Sequence, residues 1–224
     1  MSVLVDPQRE REELQAYLGS TYEEERLRTY AAQVDAERAA HAGDDASFYR
    51  VSCAYLYDLT AFAMTGTKLP YLDALTQAAP SPARLLDWGC GIGSDGLALM
   101  AAGYDVAFAD FANPSTAYLE WRLQRRDLAA PVFDLDRDEV PGDFDVAYAF
   151  DVLEHVEDPW ATLAAMETRA RLVAVNVLEP DARDTPLHRP LPVDALVAHA
   201  ERSGTVAHQF LHGRSHLLLY RSPA

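Results

Sequence analysis

The chain has 224 residues, 49% hydrophobic and 24% charged, which is enough apolar content for one sizeable domain with a full core. Its formal net charge of −16 argues against a nucleic-acid partner, because phosphate backbones are bound by lysine and arginine. Arg122, Arg125 and Arg126 form the one tight basic cluster, and Lys68 is the sole lysine. Cys53 and Cys90 are the only cysteines and imply no disulfide framework. The N-terminus is charged from Asp6 onward without a signal-peptide pattern, and no apolar run approaches membrane-spanning length. A cytoplasmic protein with no membrane partner is expected.

Residues 8–40 are rich in Glu, Arg, Ala and Leu, and Leu14, Tyr17 and Leu18 have helical spacing. Gly19-Ser20-Thr21 predicts a break into two helices, with Ser20 or Thr21 capping the second. The segment reads either as a solvated helical pair or as a mobile lid. A third helix is expected from about Ala46 to Ala63, apolar on more than one face. Most of its rings are expected in the core. Tyr49, Tyr55 and Tyr57 are the candidates to meet a ligand. A loop over 65–70 and a short helix from Tyr71 to Ala79 lead to Pro80-Ser-Pro82. The expected organisation is a helical cap over residues 1–80 and an α/β core over 81–224.

The core opens with Arg84-Leu-Leu-Asp-Trp-Gly-Cys-Gly-Ile-Gly-Ser-Asp-Gly96. A short apolar run ends in Asp87. Gly89, Gly91 and Gly93 follow at alternate positions, and a helical apolar pattern begins near Leu97. This predicts a strand, a tight glycine turn and a helix N-terminus. Glycine lets the backbone turn and a ligand approach, and the helix start supplies free N–H groups and a positive dipole end. The product is a nucleotide-type pocket. Gly91-Ile-Gly93-Ser-Asp-Gly96 also fits the dinucleotide pattern G-x-G-x-x-G, with Asp110 about twenty residues on. Against a dinucleotide stands Asp87, whose carboxylate would face a pyrophosphate and better suits a cationic ligand.

A second strand, Val106 to Ala109, ends in Asp110. Ser115 is expected to cap a helix running to about Arg126, with Trp121 and its arginines at the surface or in helix packing. Pro131 to Asp136 reads as a short third strand, with Asp134, Asp136 and Asp138 competing for one role. Asp143 to Asp151 is the fourth strand and runs on into Glu154-His155 and Asp158-Pro159. Arg171 to Val177 is the fifth. A proline-rich loop carrying His188, a helix from Pro192 to Ser203, and an antiparallel pair (Val206 to Leu211 and His216 to Tyr220) complete the chain. In an open α/β sheet ligands bind at the carboxyl ends of the strands, so Asp87, Asp110, Asp134 and Asp151 are expected on one rim. With no inserted substrate domain, recognition falls to the N-terminal helices and the loop around His188.

Leu85-Leu-Asp-Trp-Gly-Cys-Gly-Ile-Gly93 resembles motif I of the class I S-adenosylmethionine (SAM)-dependent methyltransferases, an acid followed by G-x-G-x-G. Asp151-Val-Leu-Glu-His155 with the later Asp158-Pro159 resembles that family's segment after strand four. The resemblance covers roughly residues 80–180. It implies a seven-stranded Rossmann-like sheet with helices on both faces, and SAM as cofactor. It assigns Asp87, Gly89, Gly91, Gly93 and Asp151 to that cofactor. Asp110 takes the ribose, Phe111 flanks the adenine, and Asp134 with Leu135 lies near the adenine amino group. A sulfonium favours aromatic faces, which gives the cap tyrosines a reason to face it. Glu154 and His155 stand where a general base would serve, with His188 a further candidate. Some quinone-pathway O-methyltransferases of the family bind a divalent metal near a similar Glu-His segment, for which Asp151, Glu154 and His155 would supply the ligands; no metal is expected here.

The implied activity is methyl transfer to the O, N or C of a small molecule by in-line displacement, leaving S-adenosylhomocysteine. The alternative keeps fold and cofactor but cyclises or lyses SAM, releasing methylthioadenosine and, for example, azetidine-2-carboxylate. An NAD-dependent oxidoreductase is disfavoured by Asp87 and the Glu154-His155 segment. A non-catalytic subunit is disfavoured by the intact turn and Asp110. A homodimer through the N-terminal helices is compatible with the pattern.

Overall fold

The computed structural model describes residues 3–182 and 184–223. Alternation along the strands builds its sheet. In β1 (Arg84–Trp88) Leu85 faces one layer and Leu86 the other. Val146 and Ala147 of β4 (Phe144–Ala149) divide the same way, as do Leu217 and Leu218 of β7 (Ser215–Arg221). With β2 (Asp105–Asp110), β3 (Val132–Asp134), β5 (Ala170–Leu178) and β6 (Thr205–Leu211), the order is β3-β2-β1-β4-β5-β7-β6. The first five strands run parallel, and β7 lies antiparallel between β5 and β6. This is the seven-stranded Rossmann-like arrangement expected.

Both faces are covered, which is why the central strands are apolar on both sides. One layer holds α6 (Leu69–Ala78), α7 (Ser94–Ala101) and α8 (Pro114–Arg125), through Leu72, Leu75, Leu97, Leu99, Leu119 and Leu123. The other holds α9 (Pro159–Glu167) and α10 (Val193–Ser203), through Leu163, Met166, Leu196 and Ala200. No helix among the described residues is long and apolar enough to cross a membrane.

The N-terminal helices are more divided than their sequence suggests. α1 (Pro7–Leu18) is capped by Asp6, which accepts from Gln8 and Arg9. A single 3₁₀ turn over Gly19–Thr21 follows, then α2 (Glu24–Arg28) and α3 (Tyr30–Ala40). Neither Ser20 nor Thr21 caps α2. The Thr21 hydroxyl instead donates back to the Leu18 carbonyl at 2.9 Å, closing α1. The single helix expected over 46–63 is two, α4 (Asp45–Val51) and α5 (Ala54–Met64). Glu37 causes the break: its Oε2 accepts both the Ser52 hydroxyl at 2.8 Å and the Ala54 N–H at 3.0 Å, holding the chain between the helices. Leu14, Leu27, Leu56, Tyr57 and Ala61 of this cap share one buried cluster with Ile92 and Tyr118 of the core.

Two expectations for α8 are corrected. Its cap is Asn113, whose Oδ1 accepts from Ser115 at 2.8 Å and Thr116 at 2.9 Å, while Pro114 occupies the first turn and Ser115 lies inside the helix. Arg122 is not a surface residue but is fully buried.

Candidate functional site

The glycine turn joins β1 to α7 at the carboxyl edge of the sheet. Gly89 and Gly91 both have positive φ, +72° and +51°, the left-handed region glycine enters without penalty. The Gly89 N–H donates to the Ala109 carbonyl at 2.8 Å, tying the turn to the end of β2. Asp110, at that strand end, accepts the Gly91 N–H on Oδ2 at 2.8 Å and the Phe111 N–H on Oδ1 at 2.7 Å. Burial raises the Asp110 pKa, and these two backbone donors oppose the rise.

A buried ionic cluster holds the turn from behind. The Arg122 Nη1 donates to the Ile92 carbonyl at 2.8 Å and to the Ser94 hydroxyl at 3.0 Å. Its Nε donates to Glu13 at 2.8 Å, its Nη2 to Glu10, and Ser94 donates to Glu10 at 2.6 Å. Arg126 adds two bonds to Glu13, each 2.7 Å. The first helix of the cap is thus pinned to the cofactor-type turn of the core.

In front of the turn lies a cavity of about 490 Å³, within the range of small-molecule sites. Gly89, Gly91, Asp110, Phe111, Leu135 and Asp151 line it, together with Tyr49, Tyr55 and His155. The Phe111 ring, at its mouth, lies 4.4 Å beneath the Arg50 guanidinium of α4, and Arg50 also pairs with Asp136. Asp151 has a φ of +65°, a strained conformation for a non-glycine residue, and its N–H donates to Asn176 at 2.6 Å.

Other predicted residues lie elsewhere. Gly93 is packing rather than lining, since a Cβ there would sit 2.4 Å from Leu119 Cδ1. Asp87 is buried beneath the turn with Oδ2 unpartnered among the described residues. Burial, then the neighbouring Asp95, push its pKa up to about 8, so it holds a proton at neutral pH. Asp134 accepts the Asp136 N–H at 3.1 Å and pairs with Arg137, whereas Asp138 lines the cavity. Tyr57 stacks on Tyr22, lies beneath Arg26 and accepts the Glu23 N–H at 2.9 Å. Cys90 lines the cavity, but burial pushes its thiol pKa far up, in keeping with a packing role.

The Glu-His pair divides. His155 lines the main cavity; its Nδ1 lies 2.9 Å from the Tyr49 hydroxyl. Burial depresses its pKa to about 4, so the ring is neutral at pH 7. Glu154 lines a separate, smaller pocket with Asp184, His188, Arg189 and Arg214. Both of its carboxylate oxygens are buried without a hydrogen-bond partner among the described residues, and burial, then the charge of Asp151, raise its pKa well above the usual range. It does not reach the main cavity as a base would. His188 stands edge-on to His155, ring centroids 4.8 Å apart, with Nδ1 3.4 Å from Asp184. Asp151, His155 and His188 offer ligand atoms within 4.8 Å of one another, and they are the trio among the described residues that could hold a cation.

A parallel sheet with a glycine turn at its switch point and an acid at the next strand end defines a nucleotide-type pocket. A family model described as "Methyltransferase domain" matches residues 64–212. The chain belongs to that family. Among curated sequences none matches the chain significantly. Solved structures share its fold at low identity. Magnesium protoporphyrin IX methyltransferase (ChlM) from Synechocystis PCC 6803 with bound SAM superposes with TM-score 0.55 at 15% identity, covering 98% of each chain. TehB from Haemophilus influenzae superposes with TM-score 0.55 at 16% identity over 67% of this chain, which spans only 61% of TehB. The N-terminal domain of EvdMO1, in the presence of SAH and D-fucose, gives TM-score 0.52 at 17% identity over 68% of this chain and 82% of that one.

Proposed function

We propose that the protein is a SAM-dependent methyltransferase acting on a small-molecule acceptor in the cytoplasm. The observation that carries this reading is the Gly89–Gly91 turn opening on the cavity with Asp110 bonded to its backbone, in a chain of the methyltransferase-domain family. The lining fits an adenosylated amino acid. A Cβ on Gly91 would meet Leu59 Cδ1 at 3.0 Å, so the turn leaves room only for bare backbone facing the cavity. Asp110 has lone pairs left for a diol, and Phe111 offers a ring face.

When bound, SAM supplies a methyl carbon already activated by its sulfonium. The protein's part is then positioning and exclusion of water. Tyr49 and Tyr55 wall the cavity with aromatic faces suited to a cation. His155, neutral, with its pKa depressed to about 4 and its ring oriented by Tyr49, is suited to positioning an acceptor O–H or N–H rather than to taking its proton. The strong negative charge supports an acceptor other than nucleic acid, and the free Cys53 and Cys90 support a reducing compartment.

The test is mass spectrometry of SAM incubated with the purified protein, alone and then with panels of small phenols, amines and carboxylic acids. Saturable SAM binding with an acceptor-dependent gain of one methyl group supports the proposal. Methylthioadenosine above the spontaneous background without acceptor would replace it with SAM cyclisation or lysis. No SAM binding at all would remove it.

A further inference from the structure

The cavity has a polar end that the motif residues do not explain. Asp110, Phe111, Leu135 and Asp138 all belong to the β2 and β3 side of the glycine turn. On the other side, toward β4, stands Lys68, the only lysine of the chain, at the start of α6. Its Nζ lies 2.9 Å from Asp95 Oδ2, in the first turn of α7, and donates to the Phe150 carbonyl at 3.3 Å, just after β4. All three residues line the cavity. β1 and β4 are neighbours in the sheet, so Lys68 bridges the two strand ends at the switch point.

Burial alone would lower the pKa of this amine. The carboxylates of Asp95 and Asp151 reverse that and keep it charged. The other cation on the wall among the described residues is Arg169. Its guanidinium is committed to the Val140 and Ala165 carbonyls and the Thr168 hydroxyl. Lys68 is therefore the cation placed to meet an anion inside the cavity.

An adenosylated amino acid has one such anion, and it carries an ammonium beside it. With the ribose at Asp110 and the adenine beside Phe111, a ligand filling the rest of the cavity would carry its amino-acid arm on the β4 side. There the chain presents a matched set: an ammonium on Lys68, and two acceptors, the Asp95 carboxylate and the Phe150 carbonyl. We infer that Lys68 binds the amino-acid carboxylate of the cofactor, and that its contacts with Asp95 and Phe150 hold the places a ligand ammonium takes. This assignment rests on the SAM reading above.

The experiment compares two ligands that differ only in that arm. S-adenosylhomocysteine carries the amino acid, and 5′-methylthioadenosine lacks it. Calorimetric titrations of both are made on the wild type, Lys68→Met and Lys68→Arg. Loss of one charge-assisted contact predicts that Lys68→Met weakens S-adenosylhomocysteine by about 10- to 100-fold. Methylthioadenosine should hold within about twofold, and Lys68→Arg should keep most of the preference for the longer ligand. Unchanged S-adenosylhomocysteine affinity in Lys68→Met overturns the assignment, including the case in which only an acceptor's KM rises. Equal weakening of both ligands also overturns it, because it marks Lys68 as a packing tie. If the wild type binds neither ligand, the methyltransferase reading itself falls and this assignment goes with it.

Discussion

Arg122 on α8 donates through Nε to Glu13 on α1 at 2.8 Å, with both side chains buried. Removing one member of a buried ion pair leaves an uncompensated charge and costs about 3–5 kcal/mol. Arg122→Met should therefore lower the melting temperature by many degrees, and it should also loosen the turn at Ile92 and Ser94 that Arg122 holds. A melting temperature close to wild type would show that Arg126 alone neutralises both glutamates.

The same cluster sets an acid limit. Burial works to raise the Glu13 pKa, but the bonds and charges of Arg126 and Arg122 outweigh it and lower the value from 4.5 to about 2. A depressed carboxylate pKa stabilises the fold above the unfolded value, and that stability is lost as pH falls through the folded one. Wild type should lose stability between pH 4.5 and about 2. Glu13→Gln, already weakened, should show a shallower loss over that window in melts taken across pH.

Asp87 makes the opposite prediction. Its pKa is raised from 3.8 to about 8, first by burial and then by Asp95. The folded state binds the extra proton, so this contribution is complete below pH 3.8 and is lost as pH rises through about 8. Asp87→Asn mimics the protonated acid. It should melt above the wild type at pH 7, where much of this contribution is already lost, and flatten the decline between pH 3.8 and about 8. A wild type with no such decline would mean that Asp87 is ionised in the folded protein.

The strand–turn–helix at 84–101 was legible because three local codes agree there: a short apolar run, alternate glycines, and a helical apolar stripe. The segment after β4 was legible for the same reason, in its order of acid, Glu-His and Asp-Pro. The Arg122 cluster was not. An arginine at helical spacing reads as a surface residue, and its partners Glu10 and Glu13 lie more than a hundred positions away, on α1. The division of Glu154 from His155 was hidden too, because adjacent residues in a 3₁₀ turn point to different pockets and sequence adjacency does not say which. Lys68 stood out only by being the sole lysine. Its role at the switch point depends on α6 arriving beside α7 and the end of β4.

The two glycines of the turn's outer half act differently on folding and binding. A Cβ at Gly93 would meet Leu119 Cδ1 at 2.4 Å, with φ at +72°. Overpacking and backbone strain together put Gly93→Ala at about 2–4 kcal/mol of lost stability. At Gly91 the one neighbour is Leu59 Cδ1 at 3.0 Å. Gly91 has a φ of +51°, so Gly91→Val should also melt below wild type through backbone strain, and it should in addition lose SAM binding through bulk on the cavity side. Normal turnover in Gly91→Val would remove the turn from the site.

Asp110 gives the sharpest test of the cofactor's placement. Its two oxygens hold the Gly91 and Phe111 N–H groups, and it lines the cavity. Asp110→Ala removes both acceptors and any bond to the ligand's ribose. Each charge-assisted bond contributes about 1.5–3 kcal/mol, so SAM affinity should fall at least about tenfold. The sheet should remain intact, because Asp110 ends β2 and its packing neighbours, Phe108 and Ala109, are untouched. Asp110→Asn keeps one acceptor for the turn but loses the charge, and should fall between the two. Calorimetric SAM titrations with far-ultraviolet circular dichroism on all three proteins decide it. A folded Asp110→Ala protein with wild-type SAM affinity would place the ribose somewhere other than the end of β2.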